Sequence, residues 1–101
     1  MIESKLVGST LYIGLSGELD ESSAVFIMSK MDALFNMGNM RKVVVEMSEL
    51  TFMDSTGIGV LIGRYKRLKA RNIVLCVRNP SSAADRIFKM AGLYEIMPKV
   101  K

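Results

Sequence analysis

Apolar positions recur along the chain with two different periods, and the switches between the periods mark out the elements. In "KLVGSTLYIGLSG", Leu11, Ile13 and Leu15 alternate with small or polar residues, the pattern of a half-buried strand. The Gly8-Ser9 pair before them predicts a turn from a short strand upstream. After "ELDESS" the period lengthens: Ala24, Ile27, Met28, Met31, Leu34 and Phe35 recur at helical spacing and form the inner stripe of a helix reaching to about Met37. Asp20 and Ser22 both suit its N-cap, and Gly38 lies where a C′ glycine belongs. "RKVVVEM" is a β-branched run bounded by polar residues, which predicts a central buried strand.

Ile58, Leu61, Ile62, Tyr65 and Leu68 form a second helical stripe, with Arg64, Arg67 and Arg71 predicted on a different face. "NIVLCV" predicts another buried strand. "NPSSAADRIFKMAG" predicts a third helix with Asn79 as cap, Pro80 at its first position, an inner face of Ala84, Ile87, Phe88 and Ala91, and Gly92 as its stop. "LYEIM" and Pro98 close the chain. The order β-β-α-β-α-β-α, with no repeat or linker, predicts one α/β domain over residues 1–101: a small mixed sheet with covering helices.

Composition narrows the chemistry. Half of the residues are hydrophobic and charge is moderate, which argues for a packed core rather than disorder. No stretch approaches the roughly 18 consecutive apolar residues of a membrane span, and "MIESKLVGST" lacks the marks of a signal peptide. The single cysteine, Cys76, lies in an apolar run and reads as a buried thiol. A soluble, reducing, cytoplasmic setting is the expectation, with no membrane partner. Histidine is absent, which removes the usual general base and metal ligand. The nine methionines read as core filling. The net charge of +4 is uneven, with five positive charges between Arg64 and Arg71. A solvated face, an acidic protein partner and nucleic acid are the readings of that cluster. No helix-turn-helix pair, zinc site or basic–aromatic platform supports direct nucleic-acid contact.

The densest chemistry lies in "TFMDSTGIGVLIGRYK", where Asp54, Ser55 and Thr56 precede an apolar helix. A serine nucleophile needs a base, and neither a histidine nor a G-x-S-x-G elbow is present. Gly57, Gly59 and Gly63 give G-x-G-x-x-x-G, not the dinucleotide fingerprint, and the first glycine comes well after "VVVEM" for a tight strand–helix turn. Gly59 and Gly63 read instead as sites of close packing. No cofactor and no metal are expected. Glu18, Asp20, Glu46 and Glu49 read as turn and solvated-face acids. Ser55 or Thr56 is a good N-cap, stabilising typically by roughly 1 kcal/mol. Three polar residues in a row exceed what one cap requires.

"FMDSTGIGVLIGRYK" resembles the signature of the anti-sigma factor antagonists, most of all their sporulation type. "LSGELD" at residues 15–20 and the late "MAGL" match as well, so the resemblance runs along the whole chain. It implies a STAS-type domain without catalytic activity. It further implies phosphorylation of the serine that follows the aspartate, here Ser55, by an anti-sigma factor that is also an ATP-dependent serine kinase. On the same grounds, the unphosphorylated form binds that kinase and frees the sigma factor, and a PP2C-type phosphatase restores it. Thr56 stands where serine or alanine is frequent among relatives. The implied partner surface comprises Glu18, Asp20, Asp54, Ser55, Thr56, Gly57, Arg64 and Arg67. Asp54 either orients the serine hydroxyl or caps the turn. The alternative within the family is a regulator in a general stress pathway. Outside it stand a small nucleotide-binding protein and a histidine-free hydrolase.

Overall fold

The computed structural model describes all residues, 1–101. Strands β1 (Ile2–Val7) and β2 (Thr10–Leu19) form a hairpin closed by Gly8, whose φ of +60° is one that side-chain-bearing residues rarely adopt. Then follow α1 (Ala24–Phe35), β3 (Lys42–Met53), α2 (Ser55–Lys69), β4 (Val74–Arg78), α3 (Ser82–Met90), a single 3-10 turn (Leu93–Glu95) and β5 (Lys99–Val100). Strand order in the sheet is β1-β2-β3-β4-β5, with β1 antiparallel to β2 and every later pair parallel.

That order decides the layering. Each parallel crossover advances one strand in the same direction, and right-handed crossovers of that kind put all their helices on one face. Val43 of β3 aligns with Leu11 and Leu75, and Val45 aligns with Ile13 and Val77. These residues meet Ile27, Met31, Leu61, Leu68 and Phe88 from the helices in one continuous core.

The opposite sheet face carries no helix. Val44 and Cys76 lie there side by side, buried yet outside the main core. Their shelter is polar: Arg78 reaches across β3 to lie over the Tyr12 ring at 5.3 Å and pairs with Glu46 at 2.7 Å. Partial burial pushes the Glu46 carboxyl up, but hydrogen bonds from Arg78, Ser48 and Asn79 outweigh it and hold it below its ordinary range. Glu46 is therefore paired rather than simply solvated, a departure from its sequence reading. Burial pushes the Cys76 thiol up, as befits an unreactive buried cysteine.

Three boundaries differ from the sequence reading. β3 continues through "SELTFM" to Met53, so strand and helix meet at one intervening residue; the distance argument against a tight strand–helix turn falls, although the glycine spacing stands. The cap of α3 is Ser81, whose hydroxyl accepts from the Ala84 amide at 3.2 Å. Asn79 instead adopts a φ of +54° and donates to Glu46. The two-residue β5 was not foreseen, because a strand so short carries no readable period.

Candidate functional site

The junction between β3 and α2 is built by Asp54. Its backbone is extended, its Oδ1 accepts from the Gly57 amide at 3.1 Å, and its carbonyl accepts from the Ile58 amide at 3.1 Å. Asp54 is thus the N-cap, which resolves its two open roles and displaces Ser55 and Thr56 from capping. Ser55 and Thr56 become the first two helical residues. Both are exposed, and neither hydroxyl enters a hydrogen bond within the chain. Their own amides precede the first intrahelical bonds and point outward at the positive end of the helix.

Gly57 fixes this turn against the sheet. A Cβ there would lie 2.5 Å from the Leu19 carbonyl oxygen and 2.7 Å from the Met53 side chain. At Gly59 and Gly63 a Cβ would meet nothing within 4 Å, so the close packing expected of that pair belongs to Gly57 alone. The inner face of α2 is correspondingly Gly57, Val60, Leu61, Arg64 and Leu68. Ile58, Ile62 and Tyr65, predicted to face inward, are half-buried along one flank.

The "GELD" segment reaches the same end of the sheet. Past two irregularities in the β2–β3 ladder, Glu18 aligns with Phe52 and Leu19 with Met53. Asp20 then accepts from the Ser22 hydroxyl at 2.8 Å and from the Ser22 and Ser23 amides at 3.0 and 3.2 Å. The Ser22 hydroxyl bond and these amides hold the Asp20 carboxyl below its ordinary range. Ser23 occupies the N-cap of α1 without a side-chain cap bond, and its hydroxyl donates to the Glu18 carbonyl at 2.7 Å. Asp20 is therefore a turn-forming acid just before the helix, and Ser22 is not the cap. Glu18 is exposed beside it.

A shallow depression between the two helix starts is lined by Asp20, Glu21, Ser22, Phe52 and Asp54, with no lysine or arginine among them. Phe52, half exposed, lies beyond the strand that "RKVVVEM" predicts, so that pattern does not reveal it. Its alternation with Met53 in an extended strand was the available signal.

Arg64 and Arg67 lie elsewhere. Arg64 is buried in the α1–α2 seam with its Nε 3.1 Å from Asp32 Oδ1, while the exposed Arg67 approaches the other carboxylate oxygen at 3.3 Å. Arg71 donates to the Phe35 carbonyl at 2.9 Å. The predicted exposed basic face is thus corrected at Arg64. Its aliphatic stem packs under α1 because Asp32 supplies a counter-charge there. The pair is close but poorly aligned for a hydrogen bond, and Arg64 Nη1 has no partner. No group of three or more Cys, Asp or Glu is arranged as a metal site. No helix is long and apolar enough to cross a membrane.

The STAS domain pattern matches residues 1–101. The chain belongs to the STAS family. Among relatives of this STAS chain, an anti-sigma F factor antagonist of Paenibacillus polymyxa is 33% identical over 97 residues, covering 96% of this chain and 83% of the relative. An anti-sigma-B factor antagonist of Bacillus subtilis (strain 168) is 28% identical over 96 residues, covering 95% and 86%. The anti-sigma factor antagonist SpoIIAA in its unphosphorylated form superposes with a TM-score of 0.82 at 28% identity, over 100% of this chain and 89% of that one. The phosphorylated form of SpoIIAA from Bacillus gives 0.77 at 28% identity, over 100% and 92%. These likenesses agree with the resemblance carried by "FMDSTGIGVLIGRYK" and "LSGELD", and the small mixed sheet is the fold it implied.

Proposed function

We propose that residues 1–101 act as one STAS domain, an anti-sigma factor antagonist of the sporulation type, switched by phosphorylation of Ser55. The observation that carries this reading is the exposed, unbonded Ser55 hydroxyl. It is held on a helix start that Asp54 caps and Gly57 seats against the sheet. The kinship with anti-sigma F factor antagonists and with a SpoIIAA solved in a phosphorylated form supports it.

The physical consequence of phosphate at that position follows from its surroundings. It would add about −1.5 to −2 charges beside two free amides and the positive helix end, so the fold tolerates it. The adjacent depression is acidic and offers no arginine to draw the phosphate inward. The charge therefore stays on display. An anti-sigma factor surface that fits a neutral hydroxyl, Phe52 and the acids Glu18 and Asp20 then meets bulk and charge instead. A mismatch of a few kcal/mol weakens affinity more than a hundredfold.

In this scheme the partner is an anti-sigma factor that is also an ATP-dependent serine kinase, and a PP2C-type phosphatase resets the switch in the cytoplasm. The domain itself catalyses nothing. Thr56 belongs to the contact surface, Gly57 supports it from beneath, buried against the sheet, and the exposed Arg67 is the arginine that would reach an acidic partner group. The test is to incubate the protein with its anti-sigma factor and ATP and to map phosphate by mass spectrometry. Phosphate on Ser55 is the expected result; phosphate on Thr56, or on neither hydroxyl, refutes the assignment.

A further inference from the structure

Strand β1 is an edge strand, and its outer side pairs with nothing. The Met1 nitrogen donates to the Ser16 carbonyl and the Ser16 amide donates to Met1, both at 2.9 Å, so Met1 and Ser16 form a doubly bonded pair. The β1–β2 register is unbroken, and bonded pairs alternate along an antiparallel ladder. Met1, Glu3, Lys5 and Val7 therefore turn their peptide groups toward β2, and Ile2, Ser4 and Leu6 turn theirs to the open edge.

The side chains of "IESKLV" are self-complementary about Ser4. Only if a second β1 runs antiparallel with Ser4 opposite Ser4 does Glu3 face Lys5 and Ile2 face Leu6, each twice. Centring on Glu3 or on Lys5 sets like charges directly opposite, which is unfavourable. The Ser4-centred register also agrees with the hydrogen-bond phase, since Ile2, Ser4 and Leu6 are the residues with free outward groups. Neither Glu3 nor Lys5 has an ion-pair partner within the chain. A lone edge lysine commonly discourages pairing, but a glutamate two residues away turns it into half of a reciprocal pair.

The flank beside this edge is mostly apolar, with Lys30 lying over the Phe26 ring. A groove between β1 and α1 is lined by Ile2, Ser4, Phe26, Ala33, Leu34 and Met37 among others, with Phe26 56% and Met37 64% exposed. Ile2, Ser4 and Leu6 share the helix-covered face with it, so a partner's Leu6 opposite Ile2 projects toward the same groove.

We infer that this edge joins two copies of the chain as a two-fold dimer, β1 pairing antiparallel with its counterpart about Ser4 into one continuous sheet. The contact is isologous and closes on itself. Because strand direction reverses across the axis, the two Ser55-bearing ends point opposite ways and both stay open. The inference is independent of the proposed switch.

Sedimentation equilibrium on the full chain tests it. The wild type is expected to dimerise reversibly. Lys5→Glu sets glutamates opposite each other and should weaken the dimer by about tenfold or more. The exchange Glu3→Lys with Lys5→Glu restores opposite charges and should return it to within a few-fold of wild type. Ser4→Pro removes an outward amide that β2 does not use, so it should abolish the dimer while circular dichroism stays that of the wild type. A wild type that is monomeric at every concentration overturns the inference. So does a Lys5→Glu variant that dimerises like wild type, or an exchange variant that stays monomeric.

Discussion

The two ends of α2 are built on opposite principles. Toward its C-terminus the helix is bound laterally to α1: Arg64 and Arg67 share Asp32, and Arg71 just beyond it holds the Phe35 carbonyl. At its first turn no ion pair or side-chain hydrogen bond reaches α1, and the turn is held by the Asp54 cap, by the contact of Gly57 with Leu19 and Met53, and by the half-buried Ile58. One end uses its polar groups inside the molecule. The other leaves two hydroxyls and two amides unused, and that surplus is what a partner can read.

Substitutions can break or sharpen this contrast. The largest effect is expected at Gly57: Gly57→Ala forces a methyl against the Leu19 carbonyl and should cost about 3 kcal/mol in urea unfolding. Gly59→Ala, with open space around it, should instead stabilise by up to about 1 kcal/mol. Equal effects at both glycines would show that the first turn is not seated as described. Next is the lateral end. Asp32→Ala strands the buried Arg64 and should cost about 2 kcal/mol, below the usual range for a buried pair because Asp32 is partly exposed. Arg67→Ala, at the exposed half of the cluster, should cost under about 0.5 kcal/mol. A loss at Arg67 matching that at Asp32 would undo the distinction between the two arginines.

Asp54→Ala should cost about 1 kcal/mol through the cap, and it should also loosen Ser55, slowing phosphorylation by the anti-sigma factor in a rate assay. An unchanged melting curve would remove Asp54 from the capping role. The smallest change in stability is expected for Ser55→Asp, within about 0.5 kcal/mol of wild type, because an anion suits that helix position. Titration calorimetry against the anti-sigma factor should nonetheless show binding weakened more than a hundredfold. A folded variant that binds as well as wild type would place the switch elsewhere.

β2, the inner strands and the helices were legible in the sequence because each buries an apolar stripe or run, β1 was read from the turn after it, and Ser55 was singled out because its neighbours form a recognisable motif. What escaped was set by residues distant in sequence. The inner face of α2 lies about one position from the apolar stripe, at Gly57, Val60, Leu61, Arg64 and Leu68. Hydropathy gives glycine no weight, yet it is the Gly57 backbone that must fit beneath Leu19. Hydropathy also sends every arginine outward, yet Asp32 of another helix holds Arg64 inside. The second half of β3 was hidden because "SELTFM" loses its apolar run where the sheet becomes irregular. Extending that strand brought Phe52 and the "GELD" segment to the serine.

The single residue between β3 and α2 has a consequence for the proposed phosphorylation of Ser55. Protein kinases that thread a flexible segment through an extended cleft need several residues on each side of the acceptor to unravel. Here the preceding residues are laddered into the sheet on the β2 side and the following ones are coiled into a helix. An enzyme acting on Ser55 must read a folded contour. A synthetic peptide spelling residues 51–66 would carry every letter of the motif and almost none of its meaning.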